Sequence, residues 1–374
     1  MANEDKATRY HRLRRRASLL ATGLSALLLL LLLVTGGSVA LRNAAAALTG
    51  GSFLLTTVAY VVLLALVSEL VQLPLAYYEG VTLERRYGLS TQTTARWWAD
   101  HFKAGGIALL FAVLAAALVM ALLRWSPDSW WLIGAVCFTI VLVALAQLAP
   151  VLLLPLFYEF KPLQREELVA RLLRLADRAG THVLGVFEWR LSDRTKKANA
   201  ALAGIGRTRR ILVSDTLLAD HSDEEIEVIL AHELAHHVHH DIWSGIAVEA
   251  GLILLGFYAA DVVLDATTGW FGLAGKADVA VLPLFLLTGG TVSIALMPLF
   301  NALSRLHERR ADRYALDMTR NAPAFMSAMK RLAAQNLAEE RPSRVVEVLF
   351  HTHPAIAARI EAAQHWASRQ RQHA

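Results

Sequence analysis

The 374-residue chain is poor in cysteine and in charge. Cys137 is the single cysteine, which excludes an intrachain disulfide and a thiolate metal cluster, so any bound metal must be held by histidine, aspartate or glutamate. Charged residues are 18% of the chain, against about a quarter in ordinary soluble domains, and hydrophobic residues reach 55%. Together with a mean hydropathy of +0.42, this shortage of charge favours a membrane protein.

The chain also lacks a basic surface with interleaved aromatic residues, although its net charge is +5. Nucleic acid is therefore not expected as a partner. Six of the 37 basic residues precede the first apolar run, where they are typical of a cytoplasmic anchor against anionic lipid. They are Lys6, Arg9, Arg12, Arg14, Arg15 and Arg16.

Six segments are long and apolar enough for a membrane-spanning helix, which takes roughly 20 residues. They lie near 18–41, 52–76, 104–123, 131–157, 244–265 and 279–300. Loops rich in Lys and Arg alternate with loops poor in them, which predicts that both termini face the cytoplasm. We expect the first segment to be a retained anchor and not a cleaved signal peptide.

These segments predict a mainly α, polytopic membrane protein with about six transmembrane helices and a small cytosolic α+β domain. The expected parts are 1–157, with four spans and a cytosolic loop at 77–103; 158–243, a cytosolic segment; 244–300, with two spans; and 301–374, a cytosolic carboxyl-terminal segment.

Within the cytosolic segment, the apolar spacing in residues 163–178 predicts an amphipathic helix. Short β-type runs follow at Val183–Trp189, around Asn199–Ala203 and at Arg210–Ser214, and the glycines at 204 and 206 predict a hairpin between the last two. A helix is expected from about Asp223 to about His240.

That last helix contains the pentad His232-Glu233-Leu234-Ala235-His236. Two histidines four residues apart share one helix face, so their imidazoles can bind one Zn²⁺. Glu233 lies beside them, where it can act as the general base for the attacking water. Two zinc-binding histidines and a neighbouring general base are the functional parts of the zincin motif. His237, His239 and His240 are interpreted as a solvated or interfacial helix end.

A catalytic zinc needs a third protein ligand. Residues 301–313 contain Glu308 and Asp312, one helical turn apart, so Glu308 can reach the metal while Asp312 orients a ligand histidine. The alternative is a surface helix whose carboxylates pair with neighbouring arginines. The pentad favours the metal site.

The motifs HELAHH, SRLHERRAD and HTHPAIAAR, together with YYEGVTLERRYGLSTQT and KANAALAG, resemble the type I CAAX prenyl protease family of membrane zinc metallopeptidases. The resemblance runs from about residue 70 to 360. It implies one zinc per chain, held by His232, His236 and Glu308, with Glu233 as catalytic carboxylate and Asp312 behind the ligands. It further implies that Asn199 binds the substrate backbone and that His353 and Arg359 flank the reacting carbonyl.

The predicted function is therefore that of an integral-membrane zinc metalloendopeptidase acting on a peptide or protein substrate at the bilayer. The alternation of basic loops predicts a cytoplasmic zinc site. Composition rich in Arg, Ala and Leu is typical of a bacterial protein, so we expect the inner membrane. For the same reason, membrane or misfolded proteins are expected as substrates in preference to prenylated ones. The alternatives are an HtpX-like quality-control protease and a non-catalytic transporter or scaffold that retains a metal site.

Overall fold

A computed structural model of the protein describes residues 5–204 and 208–372. Its first half contains α1 (Lys6–Val34), α2 (Gly37–Thr49), α3 (Phe53–Tyr77), α4 (Glu84–Arg86), α5 (Thr94–Trp125), α6 (Trp130–Leu152) and α7 (Leu154–Phe157). Its second half contains β1 (Phe160–Pro162), α8 (Glu166–Arg178), β2 (Val186–Trp189), β3 (Ala200–Ala203), β4 (Arg210–Ser214), α9 (Asp215–Asp220), α10 (Asp223–Val238), α11 (Asp241–Thr267), α12 (Leu282–Thr319), α13 (Ala322–Asn336), α14 (Arg344–Phe350) and α15 (Ile356–Gln372).

Among the described residues, six helical segments are long and apolar enough to cross a membrane, which confirms the predicted number. They correspond to α1, α3 with its continuation to Arg86, α5, α6 with α7, α11 and α12. The first helix ends at Val34 and not near residue 41, because Gly36 adopts a left-handed backbone conformation (φ 72°) that starts the separate helix α2.

The interior of the membrane part is an apolar cluster to which α3, α5, α6 and α11 contribute. Trp130 and Tyr60 are fully buried in it. The Tyr60 hydroxyl lies 2.7 Å from Ser38 Oγ, and Ser38 in turn donates to the carbonyl oxygen of Ala280. These buried polar groups are therefore satisfied, as burial away from water requires.

The segment predicted to be cytosolic, residues 158–243, folds around a four-stranded sheet of order β1-β2-β4-β3. β2 pairs with β4 in parallel, and β3 pairs with β4 antiparallel, as expected for the hairpin. Gly204 ends β3 at a φ of 100°, whereas Gly206 lies outside the described residues. On one side of the sheet, α8 buries Leu168, Leu172 and Leu175 completely, so its predicted amphipathic face forms part of the core.

Two helices position the candidate site. α10 begins at a capping box in which the Ser222 hydroxyl accepts from the Glu225 backbone N–H and the Glu225 carboxylate accepts from the Ser222 N–H. α12 is a single helix of 38 residues that extends beyond its apolar part and packs along α10. This packing brings residues near 232 and near 308 together.

Candidate metal centre

The two pentad histidines lie on the same face of α10, as their spacing predicts. His232 Nε2 and His236 Nε2 are 3.3 Å apart. His232 is buried, and His236 is partly exposed. The Nε2 atoms of both rings point toward Glu308 of α12.

Glu308 of α12 closes this arrangement. One carboxylate oxygen lies 3.2 Å from His232 Nε2, and the other lies 3.4 Å from His236 Nε2. One ligand atom from each of the three residues falls within a cluster no wider than 4.8 Å. The structure therefore brings together the three residues that the sequence nominates as metal ligands.

The outer ring nitrogen of each histidine has a carboxylate partner. His232 Nδ1 lies 2.9 Å from Asp312 Oδ1, and His236 Nδ1 lies 2.9 Å from an oxygen of Asp241. A ring whose Nδ1–H donates to a carboxylate presents an unprotonated Nε2 on its other side.

Two such lone pairs then face each other and the Glu308 carboxylate. Acceptors crowded in this way repel one another unless a cation lies between them. Two imidazole nitrogens and one carboxylate oxygen are also the donor set of catalytic zinc sites. The residues present therefore fit a divalent metal ion.

Asp241 is the site residue that the sequence analysis missed. It is the first residue of α11, and a left-handed turn at His240 (φ 59°) brings it back toward His236. Arg310 of α12 pairs with its second oxygen. The available signal was an acidic residue five positions after the second pentad histidine.

Glu233 lies between the two pentad histidines in sequence and beside them in space. Burial raises the pKa of its carboxyl group, against the opposing effect of His232 and His236. A carboxylate with a raised pKa is better able to take up a proton from water and release it later.

His353 and Arg359 approach the centre from the carboxyl-terminal segment. His353 Nδ1 lies 2.8 Å from Glu308 Oε2, and its side chain is 61% exposed, so a substrate can reach it. Arg359 donates two hydrogen bonds to Asp312, at 2.8 and 2.5 Å, and its Nη2 lies 3.9 Å from Glu308. Arg359 thus holds Asp312, the carboxylate partner of His232, while its contact with a reacting carbonyl stays a prediction.

Asn199 directly precedes β3 and does not lie inside a strand. Its backbone N–H donates to Ser214 Oγ, and its carbonyl accepts from the Ser214 N–H, both at 2.9 Å. β3 lies at the edge of the sheet and packs on α10, so Asn199 leads into a strand that contacts the helix carrying His232 and His236. Its role in substrate binding stays a prediction.

A helical membrane protein with two histidines and a glutamate converging beside a second glutamate has the structure of a membrane metallopeptidase. Comparisons with known proteins agree. Residues 162–367 match the model of peptidase family M48, and residues 2–159 match the model described as the CAAX prenyl protease N-terminal region with five membrane helices. The chain belongs to peptidase family M48.

Individual relatives cover most of the chain. The uncharacterized metalloprotease YhfN of Bacillus subtilis is 34% identical over 82% of this chain and 73% of its own length. CAAX prenyl protease 1 of Saccharomyces cerevisiae is 28% identical over 80% of this chain and 70% of its own. The crystal structure of Ste24p from S. mikatae superposes with a TM-score of 0.85 at 23% identity, covering 96% of this chain and 88% of that chain.

These findings confirm an integral-membrane metalloprotease with the predicted fold. The match over residues 2–159 favours the CAAX-protease type over the HtpX-like alternative. Membership of a peptidase family also removes the reason for a transporter or scaffold. In the matched membrane region, this chain has four candidate spans and the 13-residue helix α2, which is too short to cross a bilayer.

Proposed function

We propose that the protein is a zinc endopeptidase in which His232, His236 and Glu308 hold one zinc ion and Glu233 is the catalytic carboxylate. The observation that carries the proposal is the convergence of two histidine nitrogens and one glutamate oxygen. In addition, the other ring nitrogen of each histidine is held by a second carboxylate. Zinc bound there supplies Lewis acidity, which lowers the pKa of water toward about 7 and polarises a peptide carbonyl.

The chain's own residues then have distinct tasks. Glu233 removes the proton from the attacking water and delivers it to the leaving amine. Asp312 and Asp241 hold the ligand rings in one tautomer and orientation. His353 is accessible beside the ligand carboxylate, where it can donate to the oxygen on which negative charge develops. Arg359 holds Asp312 and adds positive charge at the same place.

The substrate we propose is a peptide or protein segment presented at the membrane surface. α11 begins at Asp241, and the apolar part of α12 lies directly before Glu308, so the metal centre adjoins two membrane-spanning helices. The yeast relative is named for prenylated CAAX substrates. For this chain we propose membrane or misfolded proteins, with Asn199 binding the extended substrate backbone.

We further propose that both termini and the metal centre face the cytoplasm of a bacterial inner membrane, on the evidence of the basic loops. The division into 1–157, 158–243, 244–300 and 301–374 is proposed as the functional organisation. The first and third parts would hold the spans, and the second and fourth would supply the ligands.

The decisive experiment compares the wild type with E233Q in detergent-purified form. We expect E233Q to retain about one zinc per chain by elemental analysis while losing cleavage of both an unmodified and a farnesylated CAAX peptide. E227Q is the matched control, because Glu227 lies on the same helix, where it pairs with Arg171 of α8 and is not part of the ligand cluster. Undiminished proteolysis by pure E233Q would defeat the assignment.

A further inference from the structure

Four residues share one face of the cytosolic part of α12. They are Asn301, Arg305, Glu308 and Asp312, spaced by four, three and four positions. The last two belong to the metal centre. The first two are equally buried, with exposed fractions of 4% and 8%, and the proposed function gives them no task.

Arg305 and Asn301 hold the carboxyl end of α14. Arg305 Nη1 donates to the carbonyl oxygens of Glu347 (3.0 Å) and His351 (2.7 Å). Asn301 Nδ2 donates to the carbonyl oxygen of Leu349 at 2.8 Å. The last carbonyls of a helix lack intrahelical donors and carry partial negative charge, so a cation is well placed there.

Burial makes this contact specific. A buried guanidinium is costly unless its N–H groups are satisfied. Among residues 5–204 and 208–372, the hydrogen bonds shown for the Arg305 side chain go to backbone carbonyl oxygens, of Glu347 and His351. An arginine held in this way fixes backbone position and does not neutralise a charge.

The clamped backbone leads directly to the centre. His351 ends α14, and His353 follows two residues later with its ring 2.8 Å from Glu308 Oε2. The intervening turn is tied at its other end, where the Ala355 N–H donates to the Glu347 carboxylate at 3.3 Å. Glu308 itself lies one turn beyond Arg305 on the same helix.

We propose that Arg305, assisted by Asn301, is a positioning residue that holds His353 in register with the metal ligand through the end of α14. One face of α12 thus sets both the ligand Glu308 and the loop that carries His353. This inference rests on the proposed role of His353. It concerns how His353 is positioned for the reaction and not how the metal is bound.

The test uses full-length R305Q, R305K and N301A, with R309Q as control because Arg309 is exposed on the same helix. Since misplacement by about 1 Å can cost about 100-fold, we expect R305Q to lower kcat roughly 10- to 100-fold. Metal content should not change, KM should stay within about twofold, and R305K should recover part of the rate. Hydrogen exchange should rise in residues 344–353 of R305Q and not of R309Q.

A double-mutant cycle separates positioning from a general loss of structure. If Arg305 acts through His353, adding R305Q to H353Q should lower kcat little further. Multiplying effects, an unchanged kcat in R305Q, or a parallel loss of metal would overturn the inference. If R305Q does not fold, N301A and R305K are judged by the same criteria. Failure of the proposed function is distinct, since it would appear as retained activity in E233Q.

Discussion

His236 Nδ1 lies 2.9 Å from Asp241 Oδ2, which joins a proposed metal ligand to the first residue of the fifth membrane-spanning helix. Asp241 is buried and also accepts from Arg310 of α12. Asp241 therefore connects three helices at the proposed metal centre. It sets the orientation of the ring and also which nitrogen faces the metal.

Replacing Asp241 with alanine should weaken metal binding about 10- to 100-fold, the usual effect of removing a carboxylate behind a ligand histidine. The affinity can be measured by competition with a chromophoric chelator. R310Q is the matched control, because it removes the other partner of Asp241 and leaves the carboxylate on His236. An unchanged affinity in D241A would mean that the ring is oriented by other contacts.

The neighbouring histidines allow a sharp test of ligand identity. H236Q should lose zinc and activity together, since it removes one of three ligand atoms. H237Q should keep both, because His237 lies on a different side of α10 and is absent from the ligand cluster. Zinc per chain by elemental analysis decides between them, and equal retention in both variants would contradict the assigned ligand set.

Removing the metal should lower stability as well as activity. Without a cation, the two Nε2 atoms and the Glu308 carboxylate confront each other within 4.8 Å. A ligand present at 100 times its Kd stabilises the folded state by about 2.7 kcal/mol. Chelation should therefore lower the thermal midpoint in detergent, and zinc should restore it. The ligand variant H236Q should show no such response to chelator.

A close approach in the membrane part predicts a stability effect far from the metal. A Cβ atom added at Gly134 of α6 would lie 2.5 Å from Phe257 Cε1 of α11. G134A should lower stability by about 1–3 kcal/mol, as overpacking of a core does. G105A is the control, because nothing lies within 4 Å of a Cβ there. Similar thermal midpoints for both variants would refute this packing.

The proposed orientation can be tested with single cysteines in a C137S background. A cysteine at Leu48, which is 75% exposed at the end of α2, should react with a membrane-impermeant maleimide in intact spheroplasts. A cysteine at the exposed Glu166 of α8 should react only after lysis. The reverse pattern would place the metal centre on the outer side of the membrane.

Local sequence patterns were sufficient for much of this description. Apolar runs identify the six spans because roughly 20 apolar residues are what a bilayer requires. The bounds of β4 agree with the predicted strand, and the α8 leucines are buried as their spacing predicts. The predicted first span reached residue 41, beyond the end of α1, because hydropathy does not reveal the left-handed turn at Gly36.

The sequence by itself determined that His232 and His236 share one face of a helix, since four residues of helix bring two side chains to one face. Only the tertiary structure decided that Glu308 meets them across about seventy residues of chain, that Asp241 anchors His236, and that Arg359 holds Asp312. The reason is physical: short-range spacing follows from helix geometry, whereas contacts between helices depend on how whole faces pack.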